Sequence, residues 1–149
     1  MEQALKKIEI AASARQCYDT ICDFTTYPQW QKTIKQVTIL DRENGRPTVV
    51  EYEIDLIKIV RYTLHYTYEE SNPQKLKLAW TYVGGDLKNI EGSYTFEEVA
   101  PNKIIATYSL ALELGFGVPG FLMNRMRDSA MQESIEALKK RAESKKANG

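Results

Sequence analysis

The chain has 149 residues, 43% of them hydrophobic, which suits one compact domain, residues 1–149, with a sizeable core. Its 20 basic residues balance 20 acidic ones, so the positive excess expected of a nucleic-acid binder or a protein held to an anionic membrane is absent. A single histidine, His65, excludes most nucleophilic triads and the common zinc sites, and the two cysteines, Cys17 and Cys22, fall on different helix faces, suiting neither a disulfide nor a metal pair.

Residues 4–12, "ALKKIEIAA", alternate well enough to predict an opening strand with Ile8 and Ile10 on one face. Ser13 has Gln16 three residues later, a capping-box spacing, and "ARQCYDTICDF" continues as a short helix whose apolar side carries Cys17, Tyr18, Ile21 and Phe24. "TTYPQW" predicts a second helical turn, with Thr25 or Thr26 as cap and Pro28 near its start. From residue 34 to 114 the period becomes two, and strands are expected at 34–41, 47–57, 60–70, 74–83, 88–98 and 103–114. The breaks "ENGRP", "ESNPQ", "VGGD" and "VAPNK" carry turn chemistry, whereas the break near Lys58 is weakly marked. Short connections between consecutive strands imply an antiparallel meander.

Residues 119–144 then read as one long helix. Stepped at about 100° per residue, its apolar arc gathers Leu122, Met123, Met126, Ala130, Met131, Ile135, Ala137 and Leu138, wider than a surface helix needs, which predicts a curved partner. The basic segment "KKRAESKKANG" suits the negative end of the helix dipole and a solvated helix terminus. One antiparallel sheet with every helix on a single face is an α+β layer arrangement. With no apolar run of about 18 residues and no charged-then-apolar leader, the expectation is a soluble cytoplasmic protein without stable membrane insertion.

Strand parity is the most informative feature. Even positions hold Val50, Tyr52, Ile54 and Leu56, then Tyr62, Leu64, Tyr66 and Tyr68, then Leu76, Leu78, Trp80 and Tyr82. The pattern continues through Ile90, Tyr94 and Phe96 to Ile104, Ala106, Tyr108, Leu110, Leu112 and Leu114. Odd positions hold Glu51, Glu53, Arg61, Thr63, His65, Lys75 and Lys77, so His65 falls on the wet face. Seven of the inward side chains are tyrosines. A dry core prefers Leu, Ile and Val, because a buried hydroxyl without a partner costs on the order of 1–3 kcal/mol. Phenols converging on a concave apolar wall point to a cavity whose polar tips meet each other, water or a ligand. The candidate lining from the strands is Tyr52, Tyr62, Tyr66, Trp80 and Tyr94, with Phe96, Tyr108, Leu110 and Leu112. The alternative is that those near strand ends, such as Tyr68 and Tyr82, simply reach solvent.

The segment "LELGFGVPGFLMNRM" joins the last strand to the long helix with glycines and large apolar residues together. Phe116 and Phe121 are expected either to cover one mouth of the cavity or to be ordinary core, with Pro119 setting the helix start. Met123, Met126 and Arg127 complete the candidate lining from the helix. Arg127 could meet an anionic group of a ligand or extend its charge to the edge. No glycine loop matches a phosphate-binding pattern, so no metal and no dissociable cofactor is expected.

"ASARQCYDTICDFTTYPQW" resembles the N-terminal signature of the START-like superfamily (SRPBCC), also called the polyketide cyclase and lipid-transport superfamily. Asp23, Phe24, Tyr27, Pro28 and Trp30 carry the match. "GDLKNIEGSYTFEEV" is similar to the same family's glycine-aromatic hairpin through Gly85, Gly92, Tyr94 and Phe96. The resemblance implies a helix-grip: a curved seven-stranded antiparallel sheet wrapped around a long C-terminal helix, two short helices after strand 1, and a hydrophobic cavity between them. It also implies a ligand such as a lipid, an isoprenoid or quinone, or a polyketide.

Three functions follow for comparison. The first is binding, carriage or sequestration of a hydrophobic small molecule, supported by a tyrosine-rich inner wall with almost no other ionisable group. The second is an aromatase/cyclase or dehydratase, in which Arg127 would stabilise an enolate and Tyr66 or Tyr94 would donate a proton. The third is a protein-interaction module like those relatives associated with ribosomes or quinone biosynthesis. The residues name neither the ligand nor a protein partner.

Overall fold

The computed structural model describes residues 3–56, 58–115 and 117–148. β1 (Gln3–Ile10) leads into α1 (Ala14–Cys22), a 3-10 turn (Phe24–Thr26) and α2 (Tyr27–Trp30). Six strands follow: β2 (Ile34–Glu43), β3 (Arg46–Leu56), β4 (Lys58–Asn72), β5 (Lys75–Gly85), β6 (Asn89–Ala100) and β7 (Lys103–Glu113). α3 (Gly120–Asn148) ends the chain. The sheet has seven strands in the order β1-β7-β6-β5-β4-β3-β2, and every neighbouring pair is antiparallel. This is the α+β helix-grip. No helix among the described residues is long and apolar enough to cross a membrane.

Local chemistry explains the boundaries. Ser13 caps α1, its Oγ accepting from the Gln16 amide at 3.1 Å. Thr26 precedes α2, but its hydroxyl is not a cap: it donates to the Asp23 carbonyl at 2.7 Å and accepts from Trp30 Nε1 at 3.0 Å. The turn therefore ties Trp30 down instead of closing a helix end. "ENG" forms a two-residue hairpin, with Glu43 paired to Arg46. β3 and β4 are paired as far as Leu56 and Lys58, which brackets the weakly marked break; position 57 itself lies outside the described residues. Register shifts in the β2–β3, β4–β5 and β6–β7 ladders bend the sheet.

Parity holds along the central strands. Val50, Tyr52, Leu64, Tyr66, Leu76 and Leu78 are buried, while His65 is exposed on the opposite face. α3 lies against β1, β7 and α1. Its buried stripe is Arg127, Met131, Ile135, Leu138 and Ala142, stepping at three and four residues. That stripe is narrower than the sequence arc, because Leu122 in the first turn is exposed and Met123, Met126, Ala130 and Ala137 are only half-buried. The far end of α3 is fastened to the end of β1. Glu143 Oε2 accepts from the Ala11 amide at 2.9 Å, and Lys139 Nζ donates to the Glu9 carbonyl at 2.7 Å.

Candidate functional site

Between the inner face of the sheet and the helices lies a cavity of about 80 Å³. The strands contribute Tyr52 from β3, Tyr62, Leu64 and Tyr66 from β4, and Trp80 from β5. Ile90 and Tyr94 from β6 and Tyr108 and Leu110 from β7 continue the wall. Ile21, Tyr27, Gln31 and Ile34 close one side, and Ser134 of α3 closes another. No side chain in this lining bears a carboxylate, an imidazole, an ammonium or a guanidinium. The volume is about half of the ~150 Å³ that accommodates benzene in an apolar core. A drug-sized ligand would need the walls to move apart.

Register builds the aromatic wall. Tyr52 sits opposite Tyr62, Tyr66 opposite Trp80, and Tyr94 opposite Tyr108. Cross-strand aromatic pairs stabilise a sheet beyond the area they bury. Tyr94 stacks on Tyr108 with centroids 4.2 Å apart, and Tyr66 meets Phe24 of the 3-10 turn at 4.5 Å. The Trp80 indole is 6.0 Å from Tyr66, Tyr94 and Tyr108, joining the two halves of the wall. It can lie there because Gly92, its partner on β6, has no side chain. A Cβ at Gly92 would stand 2.2 Å from the Ser109 carbonyl oxygen and 2.9 Å from Trp80 Cζ2.

The hydroxyls divide into two groups. Tyr27 donates to the Ile21 carbonyl, and Tyr52 and Tyr66 share a bond of 2.5 Å. Ser134 donates to Gln31 Oε1 at 3.1 Å, which leaves Tyr94 to donate to Ser134 at 3.0 Å. The half-buried Tyr82 donates to the Leu87 carbonyl at 2.7 Å, and Tyr68 donates to the Pro47 carbonyl, so these strand-end phenols are also anchored. Tyr62 and Tyr108 form the second group: neither hydroxyl has a hydrogen-bond partner among the described residues, and both line the cavity.

Burial sets the electrostatics. It pushes the Tyr27, Tyr52, Tyr66 and Tyr94 phenols well above their ordinary range, and raises Tyr62 and Tyr108 as well. Each is a neutral donor at physiological pH and a poor proton-transfer acid. Burial also pushes the Cys17 and Cys22 thiols up to about 12, so both stay protonated. No group of three or more His, Cys, Asp or Glu side chains that could hold a metal occurs among the described residues.

Of the residues picked out by sequence, the structure brings Tyr52, Tyr62, Tyr66, Trp80, Tyr94, Tyr108 and Leu110 together around the cavity. Phe96 is fully buried but lies behind the wall, stacked on Tyr94 at 5.8 Å, and Leu112 is buried beyond the lining. Met123 and Met126 are half-buried against the core without reaching the cavity. Arg127 is buried on α3, outside the lining, with Nε and Nη2 both 3.4 Å from the Asp128 carboxylate. About two helical turns separate it from Ser134 and carry it past the cavity. Tyr27, Gln31, Ile34, Ile21, Leu64, Ile90 and Ser134 were missed as lining. Leu64 and Ile90 share the inward parity that marked the tyrosines, whereas Gln31 and Ser134 had no apolar signal to betray them.

The 115–120 loop fits neither of its expected roles at Phe121, which is 71% exposed and touches neither cavity nor core. Phe116 lies outside the described residues. Gly115 has φ +81°, a left-handed turn that glycine favours, and the Pro119 carbonyl accepts the first amides of α3 from Leu122 and Met123 at 3.0 Å. Phe121→Ala should therefore shift unfolding stability by less than about 0.5 kcal/mol. A core phenylalanine would cost about 3–5 kcal/mol, so a loss of that size in chemical denaturation would place Phe121 in the core.

Residues 1–143 match a family model described as polyketide cyclase / dehydrase and lipid transport. Among solved structures, a START superfamily protein from Mycobacterium smegmatis matches with a TM-score of 0.85 at 23% identity, over 95% of this chain and 97% of that one. The Zhui aromatase/cyclase from Streptomyces sp. R1128 matches at 0.82 and 13% identity, over 95% and 93% of the two chains. Human StAR-related lipid transfer protein 5 matches at 0.81 and 11% identity, over 95% and 76%. At these identities the likeness to solved structures establishes the fold alone. No curated protein matches the chain in sequence. The match spanning residues 1–143 makes the chain a member of the polyketide cyclase/dehydrase and lipid-transport family.

Proposed function

We propose that this protein binds a hydrophobic small molecule in the cavity between its sheet and α3, as a carrier or a store rather than as a catalyst. The observation that carries this reading is the lining: apolar and phenolic apart from Gln31 and Ser134, without an ionised side chain. Apolar walls with a few convergent polar groups suit ligand binding. The family description includes lipid transport, and a human neighbour of the same fold is titled a lipid transfer protein.

A cyclase or dehydratase reading draws on the family description and on the Zhui aromatase/cyclase. Its chemistry needs a group that stabilises an enolate and one that moves a proton. Arg127 stands outside the lining, and the Tyr66 and Tyr94 hydroxyls are engaged with Tyr52 and Ser134. Phenols raised by burial also transfer protons poorly near neutral pH. Carriage needs none of these groups.

The test is saturable binding of an environment-sensitive apolar dye, compared between the native protein and Leu110→Phe, which adds a ring to the cavity. Binding should weaken by about tenfold or more in the filled variant, equivalent to about 1.4 kcal/mol, while circular dichroism and the melting transition persist. Leu64→Phe supplies a second filling site should the first variant fold poorly. Equal binding by filled and native proteins, or no saturable binding at all, would overturn the reading.

A further inference from the structure

We infer that the surface cleft between α2 and α3 binds a small aromatic anion, a flat apolar ring carrying a carboxylate or phosphate group. The site is separate from the internal cavity and does not depend on what that cavity holds. The cleft measures about 470 Å³, a volume ordinary for small-molecule sites and several times that of the cavity. Residues 28–32 form one wall, and Ala137, Lys140, Arg141 and Ser144 of α3 form the other. Gln31 lines both spaces, and its 3.1 Å bond with Ser134 stands between them.

The charges around the cleft are of one sign. Lys32 lines one wall, Lys140 and Arg141 line the other, and no carboxylate is part of the lining. Among the described residues, none of these three side chains makes a hydrogen bond or an ion pair. The acids of α3 nearest to them in sequence are engaged elsewhere. Glu136 accepts from Gln132 Nε2 at 2.7 Å, and Glu143 accepts from Lys139 Nζ and the Ala11 amide at 2.9 Å each. Glu133 lines a small neighbouring recess with Gln31 and Lys32, not the cleft itself.

Arg141 is the strongest pointer to a ligand. It is half-buried, and its Nε is shut off from solvent without an acceptor. Such a donor on a cationic group is costlier than a neutral one, and like charges facing across a cleft repel. An anion seated between the walls offsets both costs. The planar guanidinium fork matches a carboxylate or phosphate, and a cleft lined by one sign of charge concentrates the opposite ion.

The aromatic half of the ligand follows from Trp30. Its Nε1 is already engaged with Thr26 Oγ1 at 3.0 Å, and its ring is braced edge-on by Tyr27 at 5.4 Å. It therefore offers the cleft apolar ring surface, which Pro28 and Ala137 extend. Inorganic phosphate would leave that surface wet, and a neutral ring would leave the cations unmet.

The experiment is an NMR-detected titration of the native protein with 2-naphthoate, 2-naphthalenemethanol and inorganic phosphate. Naphthoate should bind at least about tenfold more tightly than either of the others, shift the Trp30 indole resonance, and weaken as salt rises. Lys140→Gln/Arg141→Gln should lose about tenfold or more in naphthoate affinity, while its melting transition and dye binding by the internal cavity stay native. Lys32→Gln repeats the test from the other wall should the double variant fold poorly. Leu110→Phe, which fills the cavity, should bind naphthoate as the native protein does. Equal binding of acid and alcohol, or phosphate as tight as naphthoate, would overturn the inference. Naphthoate affinity that falls in Leu110→Phe but survives Lys140→Gln/Arg141→Gln would move the anion to the cavity and reject the cleft. The absence of saturable naphthoate binding would reject it as well, and sedimentation with phosphatidylserine vesicles in that case would assign the cations to a membrane surface.

Discussion

Raising the pH through about 10 should unfold this protein in one cooperative transition instead of titrating its tyrosines one by one. Burial raises the folded-state values of Tyr27, Tyr52, Tyr62, Tyr66, Tyr94 and Tyr108 above the ordinary 10.0. Below that pH the phenols are protonated in both states and stability does not depend on them. Above it the unfolded chain loses protons that the folded chain keeps, so stability falls with rising pH. Each buried phenol can contribute up to about 1.4 kcal/mol per pH unit. Tyr27, Tyr52, Tyr62, Tyr66 and Tyr94 together can therefore contribute up to about 7 kcal/mol per pH unit, with the half-buried Tyr108 adding in the same direction. A domain of ordinary stability, about 5–15 kcal/mol, would exhaust its margin within one or two pH units. The Cys17 and Cys22 thiols, pushed from an ordinary 9.0 to about 12, act in the same direction and begin earlier. The check is to record tyrosinate absorbance and far-ultraviolet circular dichroism on the same samples. Coincident transitions are expected. Ionisation of most tyrosines with the dichroism still native would show that their burial does not hold them neutral.

The second large effect should come from one methyl group. Gly92→Ala would set a Cβ 2.2 Å from the Ser109 carbonyl oxygen on β7 and 2.9 Å from the Trp80 ring on β5. The first neighbour is backbone in the adjoining strand and cannot rotate away. Relief requires separating β6 from β7 or moving the indole, and the indole is held by three tyrosine rings. The expected loss is about 3 kcal/mol or more, at the upper end of overpacking costs. It should be accompanied by a shift in tryptophan fluorescence, since Trp80 moves. Chemical denaturation showing a loss under about 1 kcal/mol would mean that the strands flex around the site. Gly84→Ala, where an added Cβ meets nothing within 4 Å, is the matched control.

What the sequence disclosed depended on how regular the backbone is. Along β3 to β7 every second residue faces the helices, so parity alone separated Tyr66 from His65 and picked the aromatic wall. Parity gives a face but not a depth. Phe96 and Leu112 share the inward face with Tyr94 and Leu110, yet they fall behind or beyond the cavity, because depth depends on where α3 and α2 cross the sheet. The same reason left Arg127 misplaced. A helical wheel puts it among apolar neighbours, and it is indeed buried, but which layer it reaches is fixed by the position of α3. Gln31 and Ser134 are polar and isolated in the chain, and only the approach of residue 31 to α3 makes them a pair. Phe121 shows the opposite error: a large aromatic suggested a buried place, and the first turn of α3 instead leaves it in solvent.

The strand order has a consequence for how this chain comes to be folded. β1 and β7 are neighbours in the sheet, and the Gln3–Ala111 pair joins the beginning of the chain to its far portion. During synthesis from the N-terminus, β1 waits without its hydrogen-bonding partner until β2 to β6 have been made and β7 follows. The hairpins from β2 to β7 join neighbours in sequence and can zip locally, whereas closure of β1 must overcome the loop entropy of the intervening chain. Until then β1 is an unpaired edge, open to association with a second chain. Its exposed positions are Gln3, Leu5, Lys7 and Glu9, so Leu5 alone among them is apolar, and the charged Lys7 and Glu9 make the kind of edge that resists such pairing while it waits.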